Sequence, residues 1–210
     1  MTRLCLIRHG ETDWNAARRL QGHTDIPLNA RGQAQAHATA LALRGRHFDA
    51  LYCSDLLRAA QTAESLGNEL GLSSIRDIRL RERHFGAIQG LSWDEAAERY
   101  PALHGPLRAR EPDVVPPGGG ESLRTFSERI TATLAELATR HAGQCLLVVC
   151  HGGCLDVAYR QASGKPLQEG RDFALGNATL NWIGIEHGHW RLEHWNDDSH
   201  LDETGEEISI

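Results

Sequence analysis

The chain has 210 residues, 40% of them hydrophobic and 24% charged, a composition that argues for a folded globular domain and against a disordered or fibrous one. That length suits one α/β domain with a substantial core and leaves little room for a second. A formal charge of −6 excludes a general nucleic-acid binder, which needs surplus Lys and Arg to neutralise phosphates, so any anion site must be local.

Residues 3–7 form a short apolar run that stops at Arg8-His9-Gly10, the pattern of a buried strand ending in a turn. Residues 31–44 are Ala- and Leu-rich with polar residues at helical spacing, and predict a helix. A second strand is predicted over 49–53, followed by a helix from Leu56 to about Leu70, with Ser54 or Asp55 as its cap and Gly71 as its stop. Residues 74–80 predict a third strand. Past Glu82 the pattern loosens: Ser92 caps a short helix to about Tyr100, Pro101 ends it, and an irregular Pro/Gly-rich stretch continues through Gly120. Residues 122–140 predict a long helix, and 144–150 the clearest buried strand of the chain, followed directly by His151-Gly152-Gly153. A helix over 155–161, a strand over 179–185 and a hairpin turn at His187-Gly188-His189 into a last strand, 190–195, complete the pattern.

Strands alternating with helices predict right-handed crossovers and a largely parallel sheet with helices on both faces, the final hairpin adding an antiparallel edge. The domain reading is therefore one domain over 1–196, with 87–121 as a long irregular insertion. From Asn196 to Ile210 there are six acidic residues and no Lys or Arg, so 197–210 is expected to be a solvated, mobile tail.

No charged leader followed by a long apolar segment opens the chain, and no run of about 18 apolar residues occurs in it. A cytoplasmic protein without a membrane partner is expected. The five cysteines, Cys5, Cys53, Cys145, Cys150 and Cys154, sit mostly in apolar runs and are expected to be buried thiols in a reducing compartment. Cys150-His151-x-x-Cys154 has half of a zinc pattern, but no second ligand pair stands at zinc spacing. No metal is expected.

In an open α/β sheet, ligands bind beyond the carboxyl ends of the strands. Arg8 and His9 follow the first strand, Arg58 follows the second, Glu82 the third, and His151 the strand at 144–150. Two guanidiniums bind a phosphate dianion as planar forks. A neutral imidazole can attack phosphorus, and a carboxyl can protonate a leaving alkoxide. These are the parts of a metal-free phosphoryl-transfer site. Singly, each residue has a plainer explanation. Arg58 in the first turn of a helix is ordinarily a solvated charge that opposes the helix dipole, and Glu82 between Arg81 and Arg83 is ordinarily part of a surface charge network. His151 before two glycines is harder to read as surface, because glycines admit close approach of backbone or ligand. The joint placement carries the reading.

The run Leu6-Ile7-Arg8-His9-Gly10-Glu11-Thr12-Asp13-Trp14-Asn15, continued by Leu20-Gln21-Gly22-His23-Thr24, resembles the opening signature of the histidine phosphatase superfamily, the phosphoglycerate mutase-like proteins. The segments 54–63, 80–86 and 119–122, and His151-Gly152-Gly153, resemble further family blocks in the same order, so the likeness spans about 3–195. It implies a three-layer α/β/α sandwich, no metal and no organic cofactor. It also implies that His9 is the nucleophile that becomes phosphohistidine, that Arg8, Arg58, His151 and Gly152 form the phosphate pocket, and that Glu82 is the proton donor. Asn15, Gln21 and Gly22 match positions lining that pocket. For Glu121-Ser122, an N-cap on the following helix is preferred to a catalytic role.

The same pocket serves phosphatases and 2,3-bisphosphoglycerate-dependent mutases. The mutase cap resembles a longer, more basic segment with an adjacent Arg pair, whereas residues 87–115 here contain no Lys and the separated Arg99, Arg108 and Arg110. Phe85 stands where mutases show Tyr. The expectation is a phosphatase of a small phosphorylated metabolite, the mutase being the alternative, with a homodimer left open and the particular phosphomonoester unassigned. A non-catalytic binder would be expected to have lost His9 or Glu82, and both are present.

Overall fold

The structure is a computed structural model describing residues 1–201. Six strands form one sheet: β1 (Thr2–Arg8), β2 (Ala50–Cys53), β3 (Ser74–Arg76), β4 (Cys145–Cys150), β5 (Leu180–Glu186) and β6 (His189–Asp197). Their order is β3-β2-β4-β1-β5-β6. The first four run parallel, while β5 is antiparallel to β1 and β6 to β5. The expected α/β class, mostly parallel with an antiparallel edge, is the one observed.

Seven helices accompany the sheet among the described residues: α1 (Asp13–Ala16), α2 (Ala30–Ala42), α3 (Leu57–Leu70), α4 (Trp93–Arg99), α5 (Pro101–Arg108), α6 (Leu123–Arg140) and α7 (Gly152–Ser163). Successive strand residues point to opposite faces, and each face finds its own helices. Cys5, Ile7, Leu147 and Val149 pack with Ala40 of α2, with Leu43 just past its end, and with Ala63 and Leu66 of α3. Leu4, Leu6, Leu146 and Val148 pack with Phe126, Ile130 and Leu134 of α6 and with Leu155 and Ala158 of α7. Because β1 and β4 are apolar on both faces, they sit at the centre of a three-layer sandwich.

Several local expectations are corrected. Neither Ser54 nor Asp55 caps α3. The Leu57 amide donates instead to Asp25 Oδ1 at 2.6 Å, while Asp55 pairs with Arg81 at 2.6 Å. The stop at Gly71 holds, with φ of 68° in the left-handed region. The third strand covers only Ser74–Arg76, after which Asp77 turns the chain into a 3-10 segment, Ile78–Leu80. The helix capped by Ser92 does stop before Pro101, at Arg99, but the stretch after it is not wholly irregular, because Pro101 opens a further helix. It occupies the first position of α5, where the missing N–H is no loss. Helix α7 begins at Gly152, three residues earlier than expected, because it starts as soon as β4 and His151 end. The hairpin turn at His187 and Gly188 has φ of 49° and 80°, which matches the right-handed strand twist. Asp197 still belongs to β6, and His200 Nε2 lies 3.1 Å from Thr39 Oγ1 and 3.0 Å from Ala178 O. The part of the expected tail from 202 to 210 lies outside the described residues.

Candidate active site

Strand register brings the two histidines together. Arg8 of β1 is the pairing partner of Cys150 of β4, so the chain leaves both strands side by side, and the His9 amide donates to Cys150 O at 3.0 Å. The His9 and His151 rings stand edge to face, with centroids 5.2 Å apart. Both residues are buried. Gly10 follows His9 because a Cβ there would lie 2.3 Å from Gly32 O.

The orientation of His9 is set by its partners. Its Nδ1 lies 2.7 Å from Gly10 O, and a carbonyl only accepts, so Nδ1 carries the proton. Nε2 is then the lone-pair nitrogen, and it accepts from Arg58 Nε at 3.2 Å. Burial, followed by the nearby Arg58 and Arg8 charges, holds this imidazole well below its ordinary 6.5. A neutral ring with an unprotonated nitrogen beside two guanidiniums can act as a nucleophile.

Arg58, read from sequence as a residue that could be plain surface charge, is fully buried. Its terminal nitrogens donate to Thr24 O at 2.9 Å and Gly22 O at 2.8 Å, and burial lowers its pKa to about 10. Gly22 meets the guanidinium with φ of 53°, and a Cβ there would lie 2.1 Å from Gln89 Oε1. Arg8 donates to Leu175 O at 2.6 Å. Its Nε, Gln21 Oε1 and both ring nitrogens of His151 are buried with no partner among the described residues. Unpaired buried polar atoms are costly; an anion between Arg8, Arg58 and His151 would accept from the Arg8 Nε–H and from the one N–H of a neutral His151, whereas Gln21 Oε1 is an acceptor and needs a donor. Burial, then Arg58, His9 and Arg8, also holds His151 well below 6.5.

Glu82 is fixed by two amides: Oε2 accepts from Gly153 N at 2.9 Å and Oε1 from Arg83 N at 2.8 Å. It thus sits at the N-terminus of α7, within electrostatic reach of Arg8 and Arg58. Glycine is required at 153, since a Cβ would lie 2.1 Å from Glu82 Oε1. At Gly152 the nearest atom to a Cβ would be Arg8 Nε at 3.4 Å. Asn15 is third in α1 and reciprocates the Thr12 cap, its Oδ1 accepting from Thr12 N at 3.2 Å. Ser122 Oγ accepts from Thr125 N at 3.0 Å, so the preferred capping reading of Ser122 is the one observed.

Arg8, His9, Asn15, Gln21, Gly22, Arg58, Glu82 and Gly152 all line one cavity of about 480 Å³. His151 lies against it through its contact with His9. Several lining or supporting residues escaped the sequence reading. Arg129 donates to the carbonyls of Arg79, Arg81 and Glu82, and pairs with Glu121 at 2.7 Å, stapling the segment that carries Glu82. Arg83, Arg110, Asp156, Arg171 and Phe173 also line the cavity. The sequence marked Arg83 only as a neighbour of Glu82 and Arg110 only as a separated arginine, and it carried Asp156 as an acid inside an otherwise apolar helical stretch. Among the described residues, no group of three or more His, Cys, Asp or Glu side chains gathers as a metal ligand set.

Two arginines, two histidines and a carboxyl gathered beyond the strand ends of a doubly covered α/β sheet form an arrangement able to take up a phosphoryl group. The model of the histidine phosphatase superfamily (branch 1) matches residues 4–198, and the chain belongs to that superfamily. It is 38% identical over 207 residues to phosphoglycerate mutase-like protein 4 of Arabidopsis thaliana, covering 96% of this chain and 88% of the relative. It is 36% identical over 207 residues to a metal-independent phosphoserine phosphatase of the same plant, covering 98% and 85%. The solved structure of Bacillus stearothermophilus YhfR superposes with a TM-score of 0.87 at 29% identity, covering 96% of this chain and all of that one. The protein is an enzyme, a phosphatase of the histidine phosphatase family.

Proposed function

We propose that the enzyme hydrolyses a small phosphorylated metabolite in two steps through a phosphohistidine on His9. The supporting observation is the His9 ring itself, whose Nδ1–H is held by Gly10 O while Nε2 faces Arg58 inside a buried pocket. Nε2 attacks phosphorus in line, the N–P bond forms and the P–O bond to the leaving group breaks. Arg8, Arg58 and His151 stabilise charge on the equatorial oxygens. Glu82 supplies the proton that the leaving oxygen takes. It then takes a proton from the water that attacks phosphohistidine, releasing phosphate and restoring His9. Asn15, Gln21, Gly22 and Gly152 shape the pocket around the transferring group.

The substrate is a small phosphomonoester, in keeping with the phosphoserine phosphatase named among the relatives. All five cysteines are free thiols, which supports a reducing, cytoplasmic location. The mutase-like relative makes phosphoryl return to a second hydroxyl the competing outcome. A quenched-flow experiment with labelled phosphomonoester tests the reading. Acid-labile label on the wild type, none on His9→Ala, and a fall in turnover of about 10⁴-fold or more are expected. Near-normal turnover by His9→Ala would overturn it, and an isomerised product formed only with added 2,3-bisphosphoglycerate would replace hydrolysis by mutase chemistry. Activity is also expected to survive excess chelator.

A further inference from the structure

Away from the catalytic residues, the cavity carries a second concentration of positive charge. Six arginines and two carboxylates line it, in a chain whose net charge is negative. Three guanidiniums converge on the single buried carboxylate Asp156. Arg110 donates to Oδ2 at 2.6 Å, Arg160 to Oδ2 at 3.0 Å and Arg171 to Oδ1 at 3.1 Å. Burial pushes the Asp156 carboxyl up, but the three cations outweigh it and hold the group below its usual range. One negative charge cannot balance three positive ones, so the cluster keeps a positive surplus.

The cluster is built rather than incidental. Arg110 closes the cap after α5 with φ of 58°, and its Nε is pinned to Leu167 O at 2.8 Å. Arg160 is almost fully buried, and its Nη2 has no partner among the described residues. The loop that carries Arg171 is clamped by Phe173, which stacks on Tyr159 at 3.7 Å and lies 5.4 Å beneath the Arg160 guanidinium. Of these three arginines, Arg110 and Arg171 line the cavity. Among the described residues, Arg171 spends only its Nε on protein, leaving its terminal nitrogens for a ligand.

We propose that Arg110 and Arg171, aligned by Asp156, form a second anion subsite that selects phosphomonoesters bearing a further anionic group. This rests on the phosphatase reading above and adds the substrate class to it. With phosphate at Arg8, Arg58 and His9, a carboxylate or second phosphate elsewhere on the substrate meets the two guanidinium forks. Asp156 is a positioning residue: it touches no substrate and fixes where the forks point.

The test compares kcat/KM for 3-phosphoglycerate, glycerol 3-phosphate and 1,3-propanediol bisphosphate, which differ in whether the second group is a carboxylate, neutral or a phosphate. The wild type is expected to favour at least one anionic probe over glycerol 3-phosphate by about tenfold or more, the scale of one charge-assisted hydrogen bond. In Arg171→Ala that ratio should collapse toward one, mainly through KM, and Arg171→Lys should restore part of it. Asp156→Asn should lower the ratio as well. If Asp156→Asn does not fold, the half-exposed Arg171 still decides. A wild type indifferent to the second charge, or an Arg171→Ala variant with an unchanged ratio, would overturn the subsite. Neither result touches the phosphatase reading, which fails only if p-nitrophenyl phosphate turnover survives His9→Ala.

Discussion

At the floor of the cavity, Arg8, His9 and His151 continue directly from two paired strand ends, whereas the surrounding wall assembles Arg83, Arg110, Asp156 and Arg171 from separate segments of the chain. The floor takes its order from the sheet, since its backbone continues two paired strands and His9 and His151 are buried. The wall depends on loops, and its order comes from ion pairs and carbonyl contacts around Asp156 and Arg83. Chemistry that must not vary belongs on the first kind of support. Selectivity can vary on the second, because loops tolerate change.

The sharpest way to break this contrast is Arg58→Ala. It removes a charge from the proposed phosphate pocket and leaves the carbonyls of Gly22 and Thr24 without their donor. A fall in kcat of about 10²–10³-fold on p-nitrophenyl phosphate is expected, with a lower melting temperature. Arg58→Lys should restore little, since an ammonium cannot reproduce three bonds made in one plane. A nearly normal kcat would mean that the floor is over-determined without Arg58.

Next in size is Glu82→Gln. Phosphoenzyme formation in a single turnover should slow by about 10²-fold for alkyl phosphates and far less for p-nitrophenyl phosphate, whose leaving group needs little protonation. Equal losses would assign Glu82 an electrostatic part only and make His151 the next candidate for the acid. Gly153→Ala should mimic this more weakly, by about tenfold on alkyl phosphates, because the added Cβ would meet Glu82 Oε1 at 2.1 Å and the Phe126 ring at 3.0 Å. Gly152→Ala, with 3.4 Å to Arg8 Nε, is expected to cost less than Gly153→Ala. The reverse order would show that the pocket's tight side is Arg8.

The smallest effect is on stability against pH. His9 and His151 are held well below 6.5 in the folded protein, so the unfolded chain binds their protons first as the pH falls through 6.5. Stability is therefore full above that value and declines below it. A melting series from about pH 8 to about pH 5 should fall less steeply for His151→Gln than for the wild type. Parallel curves would show that His151 titrates alike in the folded and unfolded chain. The acid limb of kcat/KM should likewise lie below 6.5, since the proposed attack on phosphorus uses the neutral His9.

Much of the floor was legible in the amino-acid order because its signals are local. An apolar run fully covered on both faces has to be a central strand, and the residues just after two such runs, Arg8-His9 and His151, have to emerge at one sheet edge. The start of α6 at Ser122 and of α4 at Ser92, with its Glu95 partner, was equally readable, because a cap acts within four residues. The burial of Arg58 was not readable from its position in a first helical turn, where a solvated charge is the common case.

What only the tertiary structure decided lies in contacts between distant segments. Asp25 caps α3 across 32 residues, Arg110 reaches Asp156 across 46, and Gly153 holds Glu82 across 71. Periodicity and capping rules reach about one helical turn, so they locate elements and the residues at their ends. They carry no information on which loop meets which, and the wall of this site is made of such meetings.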